Sequence, residues 1–169
     1  QRSARMINCI VTRKLPIWEP ATGWSAPVPT RSIAWAFADA CRAQYGAKLA
    51  DSRIDLNALH TLDQIWSGRG DEFNGIFDSS MTVWEALTRI SRCGRAVPVL
   101  QGGVVRLYRD AAQTLPVAMF GPRNIVKGSF KIQYVMPGEE TADAVTVTFF
   151  NSRTWKPDEV TSSLADSAA

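Results

Sequence analysis

Residues 82–110, TVWEALTRISRCGRAVPVLQGGVVRLYRD, leave a folding chain few options. Thr82 is a strong N-cap residue, and Glu85 sits three positions on, where its carboxylate reaches back to the Thr82 N–H while the Thr hydroxyl accepts from the residue 85 amide. Val83, Ala86, Leu87 and Ile90 then recur at helical spacing, Arg89 and Arg92 stand where the helix dipole favours cations, and Gly94 supplies the stop. Beyond it Val97 and Val99 alternate with their neighbours, Gly102 and Gly103 can take the positive φ of a two-residue turn, and Val105 and Leu107 resume the alternation. An amphipathic helix feeding a β-hairpin is a packing unit, and it carries no chemistry of its own.

Upstream the pattern is mostly helical. Ser32 predicts a cap for a helix with Ile33, Phe37, Cys41 and Tyr45 or Gln44 on the buried stripe and Gly46 as its stop. Alanines at 34, 36, 38, 40 and 43 add propensity and permit close approach of a neighbour. Asp55 predicts a second cap, with Leu59, Leu62 and Trp66 sharing a face of a helix over 56–66 and Gly68 ending it. Residues 71–77 predict a short extended segment with Phe73 and Phe77 on one side. At the start, MINCIVT (6–12) has the β-branched content of a strand entering from a preceding domain over residues 1–13. It runs into a loop where Pro16, Pro20, Pro27 and Pro29 block helix and central strand alike. Trp18 and Trp24 on this loop either clamp it to the body or present a partner surface.

Downstream the period changes to two. Residues 115–120, 129–135 and 144–150 are candidate strands; Phe130, Ile132 and Tyr134 alternate with Lys131 and Gln133, as Val145, Val147 and Phe149 do with Thr146, Thr148 and Phe150. Gly121 and Pro122 break the first, and the acidic loop MPGEETAD joins the other two. Residues 159–169 are expected to be a flexible tail. The expected fold class is α+β, with three helices in the N-terminal half and antiparallel β-hairpins in the C-terminal half. A module over 14–158 forms either one core or a helical lobe, 30–94, and a β lobe, 95–158.

Composition narrows the chemistry. Lys and Arg total 19 against 16 for Asp and Glu, a mild and scattered positive balance without the basic stripe of a nucleic-acid binder. Three widely spaced cysteines, Cys9, Cys41 and Cys93, do not make a disulfide framework and fit assembly in a reducing compartment. No apolar run approaches the roughly 20 residues that span a bilayer, and a soluble chain is expected. Beginning in the middle of an apparent strand, it is expected to be a segment of something longer. His60 has no second His at a metal-binding offset and no nucleophile motif beside it. Asp51, Asp55, Asp71, Glu72 and Asp78 lack the spacing of a calcium loop. The tripeptide Arg69-Gly70-Asp71 falls in a turn, where its bland reading prevails. Arg123, in the turn after Gly121-Pro122, is a partner-contact candidate. No catalytic, cofactor-binding or metal-binding residue is assigned, and no cofactor is expected.

Several ordered blocks carry more than their periodicity: TRKLPIWEPATGW with PTRSIAWAFADACRAQYG, DSRIDL, TVWEALTRISRCGRA, and LPVAMFGPRNIVKGSFKIQYVMPGEETADAVTVTFFNSRTW. Together they resemble the tail tip attachment protein J family of siphophages and prophages, also called host specificity protein, over residues 12–160. The resemblance implies a virion structural protein: a segment of the central tail hub, homotrimeric in its full-length parent, contacting other tail-tip proteins. It also implies that the host cell-surface receptor is met through parts outside this segment, that DNA passes the lumen without specific binding, and that the chain resides in the virion tail tip and, during assembly, in the host cytoplasm. No catalytic residues carry over. Homo-oligomer interfaces tend to be apolar and aromatic, so Trp18, Trp24 and Trp155 join Arg123 as interface candidates. Two other classes compete: a tail-associated cell-wall glycan hydrolase, drawing on Asp71, Glu72, Asp78 and Glu85, and a receptor-binding adhesin segment using the Trp loops or the 69–71 turn.

Overall fold

Ser32, Asp55 and Thr82 all cap helices. In the computed structural model, which describes residues 9–112, 114–116, 118–134 and 144–163, α1 spans Ile33–Arg42, α2 Leu56–Arg69 and α3 Val83–Arg92. Ser32 Oγ accepts from the Trp35 amide at 3.3 Å, Asp55 Oδ1 from the Ala58 amide at 3.1 Å and Thr82 Oγ1 from the Glu85 amide at 3.2 Å. Glu85 returns the bond, accepting from the Thr82 N–H at 2.8 Å and completing the capping box.

The helix stops differ from expectation. α2 runs through Gly68 to Arg69, and Gly70 takes the left-handed cap at φ 76°. Gly46 and Gly94 are not left-handed; Lys48 and Arg95 adopt positive φ in their place, at 53° and 54°. The two glycines make room: a Cβ at 46 would overlap the Ala40 carbonyl oxygen, and one at 94 would stand 2.5 Å from Trp66 Nε1.

The chain forms two units, Gln1–Gln113 and Thr114–Ala169. The core of the first is built from Ile33, Ala34, Trp35, Phe37, Ala38 and Cys41 of α1, Leu56, Leu59, Leu62 and Trp66 of α2, and Leu87 and Ile90 of α3. Small Ala34 and Ala38 let α2 and α3 close on α1, while Trp35 and Phe37 each contribute about 1.5–3 kcal/mol of burial. Tyr45 does not join this stripe: α1 ends at Arg42, the helical phase is lost, and the ring is 62% exposed.

The hairpin comprises β5 (Ala96–Gln101) and β6 (Val104–Arg109), closed by Gly102 and Gly103 at φ 58° and 79°. Its inward face is not the expected one throughout. Ala96 and Pro98 of β5 are buried with Val105 and Leu107 of β6, whereas Val97 lies exposed opposite Tyr108. Left-handed Arg95 sets the phase in which β5 leaves α3, and small Ala96 meets the helices. Ile54 bridges Val105 in parallel and the Asp55 amide donates to the Val105 carbonyl at 3.1 Å. The hairpin therefore shares the helical core, and the chain divides after Gln113 rather than at residue 95. Pro98 costs no ladder bond: pairing at Gln101–Val104 and the Asp110 amide on the Arg95 carbonyl place its missing N–H on the side away from β6.

Ahead of α1 the proline-rich stretch doubles back on itself. β1 (Lys14–Leu15) pairs with β4 (Val28–Pro29), and β2 (Trp18–Glu19) with β3 (Gly23–Trp24), both antiparallel. Residues 9–12 have no regular structure, which corrects the entering strand there; residues 1–8 lie outside the described set. Residues 71–77 form no strand either. The Phe73 amide reaches the Arg31 carbonyl at 2.8 Å, and Phe73 stacks on Phe77 at 5.9 Å, so side-chain docking replaces a ladder.

In the second unit β7 (Ala144–Asn151) pairs antiparallel with β8 (Lys156–Ser163). The strand partner is not the 129–135 segment, whose residues 129–134 lack regular structure, as do the described residues of 115–120. Residues 159–163, expected as tail, belong to β8; their polar sequence hides a strand held by backbone pairing instead of burial. Residues 164–169, Val117, Val135 and the 136–143 loop lie outside the described set. The fold class is α+β, with three helices among the described residues of the N-terminal half and antiparallel hairpins towards the C-terminus.

Candidate interaction surfaces

Trp24 sits in a closed circuit. Its indole Nε1 donates to Asp51 Oδ2 at 2.7 Å, the Arg42 Nε donates to Asp51 Oδ1 at 2.6 Å, and the Arg42 guanidinium lies 3.8 Å above the Trp24 ring. The ring also meets Trp35 edge-on at 5.9 Å. Trp18, opposite Trp24 in the β2–β3 register, stands edge-on to His60 at 6.4 Å. Both tryptophans are partly buried against the core, so the proline-rich arm is clamped to the body.

Arg13 fastens the arm's near end. It pairs with Asp39 at 3.2 Å and lies over Tyr45, whose hydroxyl donates to Asp39 and accepts from Arg13. Burial, reinforced by the adjacent Asp39 carboxylate, pushes the Tyr45 hydroxyl up to about 12.

The other two candidates lie in the second unit. Arg123 is exposed in the 3-10 turn Pro122–Asn124, where the Asn124 side chain accepts from the Gly121 amide at 3.2 Å. Trp155, in the β7–β8 turn, adopts φ 55° and contacts Phe150 edge-on at 6.5 Å; its amide donates to the Asn151 carbonyl at 2.9 Å. Trp18 and Trp24 thus fall in one unit, and Arg123 and Trp155 in the other.

Two surfaces escaped the sequence reading. No described residue of the second unit is buried, and one face of its ribbon carries Val145, Val147, Phe149 and, opposite Val147, Val160. The other face joins Thr146 and Thr161 by a 2.9 Å hydroxyl contact and sets Phe150 opposite Pro157. The alternation in β7 was visible in sequence, but its lack of cover was not. The second surface is a groove along α3, lined by Ser79, Ser80, Met81, Trp84, Glu85, Thr88, Arg89 and Arg92. Its signal was Trp84, which stands outside the Val83, Leu87, Ile90 stripe.

Three of the four acids named for a hydrolase, Asp71, Glu72 and Glu85, are engaged by other groups of the chain. Asp71 pairs with Arg69 at 2.8 Å, closing the Arg-Gly-Asp tripeptide on itself, and Glu72 pairs with Arg31 at 3.2 Å. Glu85 is held below the usual carboxylate range by the Thr82 amide and hydroxyl. His60 Nε2 lies 3.1 Å from the Gln64 amide nitrogen, and its Nδ1 is buried without a partner. Burial pushes the Cys41 thiol up to about 12. Among the described residues no cluster of His, Cys, Asp or Glu could hold a metal, and no helix is long and apolar enough to cross a membrane.

No protein-family model and no curated protein matches the chain.

Proposed function

We propose that this chain is a structural module of a phage tail-tip hub protein, acting in tail assembly and host attachment without catalysis. The observation that carries the reading is the ribbon of the second unit, where Val145, Val147, Phe149 and Val160 line one face and no described residue is buried. Two-stranded ribbons are marginal alone, and an uncovered apolar face favours assembly with a partner. The sequence blocks that resemble the protein J family supply the particular assembly: a homotrimeric hub in the full-length parent, flanked by other tail-tip proteins, with the receptor met elsewhere. The first unit serves as rigid scaffold. Trp18 and Trp24 support it from within through the arm clamp, which leaves Trp155 and Arg123 as the outward contacts.

Mass spectrometry of purified virions tests the assignment. Peptides from this chain are expected at the stoichiometry of other tail-tip proteins. Their presence in infected-cell lysate and absence from purified particles overturns it.

A further inference from the structure

We propose that the groove along α3 binds an anionic saccharide, a role independent of the assembly reading. The groove measures about 390 Å³ and lies open to solvent along the helix. Trp84, Thr88 and Arg92 follow one another at i, i+4 and i+8 on the solvent side of α3, opposite the buried Leu87 and Ile90. Trp84 is 46% exposed, although an indole is among the most valuable side chains to bury.

The electrostatics select an anion. The Arg92 carbonyl accepts from the Arg95 amide at 3.1 Å, but its guanidinium makes no hydrogen bond or ion pair among the described residues and is free to grip a carboxylate, sulfate or phosphate with two N–H groups. Arg89 faces Glu85, whose carboxylate is already held by the Thr82 amide at 2.8 Å and hydroxyl at 3.0 Å. One acid against two arginines leaves the lining with a surplus positive charge.

The remaining lining selects a sugar over an acidic peptide. Ser79, Ser80 and Thr88 present hydroxyls beside the indole, and the Thr88 hydroxyl, already donating to the Trp84 carbonyl at 2.8 Å, offers its lone pairs outward. An apolar ring face fits Trp84, hydroxyls fit the serines and threonine, and an acidic substituent fits Arg92, which matches five of the eight lining residues. A peptide anchor would need an enclosed apolar pocket, whereas Met81 and Trp84 form only an open wall.

Calorimetric titration of the full chain with a sulfated disaccharide, its unsulfated counterpart and hexaglutamate tests this. The sulfated sugar is expected to bind, the unsulfated one about tenfold more weakly, and Arg92→Gln and Trp84→Leu each to lower affinity about tenfold. Circular dichroism and melting confirm that both variants fold, and Arg92→Gln, at an exposed helix end, keeps the test valid if Trp84→Leu does not. No binding at millimolar sugar, equal binding by Arg92→Gln, or hexaglutamate binding as tightly as the disaccharide overturns the proposal.

Discussion

Trp66 and Gly94 meet at van der Waals limits: the indole Nε1 donates to the Gly94 carbonyl at 3.0 Å, and the ring occupies the space a β-carbon on residue 94 would need. The contact ties the end of α3 to the side of α2 in the middle of the core. It satisfies a buried donor and fixes the point from which β5 departs.

Gly94→Ala is therefore expected to destabilise the fold by about 2 kcal/mol or more, since neither the indole nor the backbone at 94 has room to yield. Gly68→Ala should do the opposite. Residue 68 lies inside α2 with open space where its Cβ would go, so alanine should stabilise by up to about 1 kcal/mol. Urea midpoints of the two variants check both signs; a neutral Gly94→Ala would remove the packing account.

Thr82→Ala should cost about 1 kcal/mol at neutral pH by removing the cap of α3. The same substitution should flatten the acid limb of the stability curve. The Thr82 amide and hydroxyl hold the Glu85 carboxyl below its unfolded value, so its contribution is present above the ordinary carboxylate range and fades as pH falls through the folded value. Denaturation midpoints from neutral to acid pH, wild type against variant, show the difference.

Tyr45 contributes on the alkaline side. Its folded pKa is pushed to about 12, above the unfolded value, so its contribution to stability is complete below the unfolded pKa and is lost as pH rises through the folded one. Ultraviolet titration should show a late tyrosine ionisation that is absent in Tyr45→Phe. In Asp39→Asn the transition should move down, because the carboxylate that disfavours the phenolate is gone. A transition unmoved in Asp39→Asn would count against the Asp39 contact.

The sequence announced features whose cause is local. Ser32, Asp55 and Thr82 accept amide bonds within three residues, and Gly102-Gly103 can adopt a turn most residues resist, so caps and hairpin were legible. Features set by tertiary fit were not. A glycine required by an overhanging indole looks the same in sequence as one required by a left-handed cap, which is why Gly94 reads as a helix stop and Gly68, rather than Gly70, as the end of α2. Val97 faces outward because the exit from α3 fixes the phase of β5, and alternation alone does not say which parity is inside. β8 was hidden because Lys156, Asp158 and Glu159 pair through the backbone while their side chains stay in water. Of the interface candidates, the aromatic character of Trp18 and Trp24 was visible, but their engagement with His60, Asp51 and Arg42 depends on residues up to 42 positions away.

Pro98 gives the two long hairpins different futures in a crowded solution. A strand arriving beside β5 would find a donor missing in the middle of its docking line, so that edge is a dead end for sheet growth. β7 contains no proline, and its register against β8 is unbroken over eight residues. Growth through backbone pairing is thus stopped chemically at the β5 edge and left to be prevented, or used, at the β7 edge.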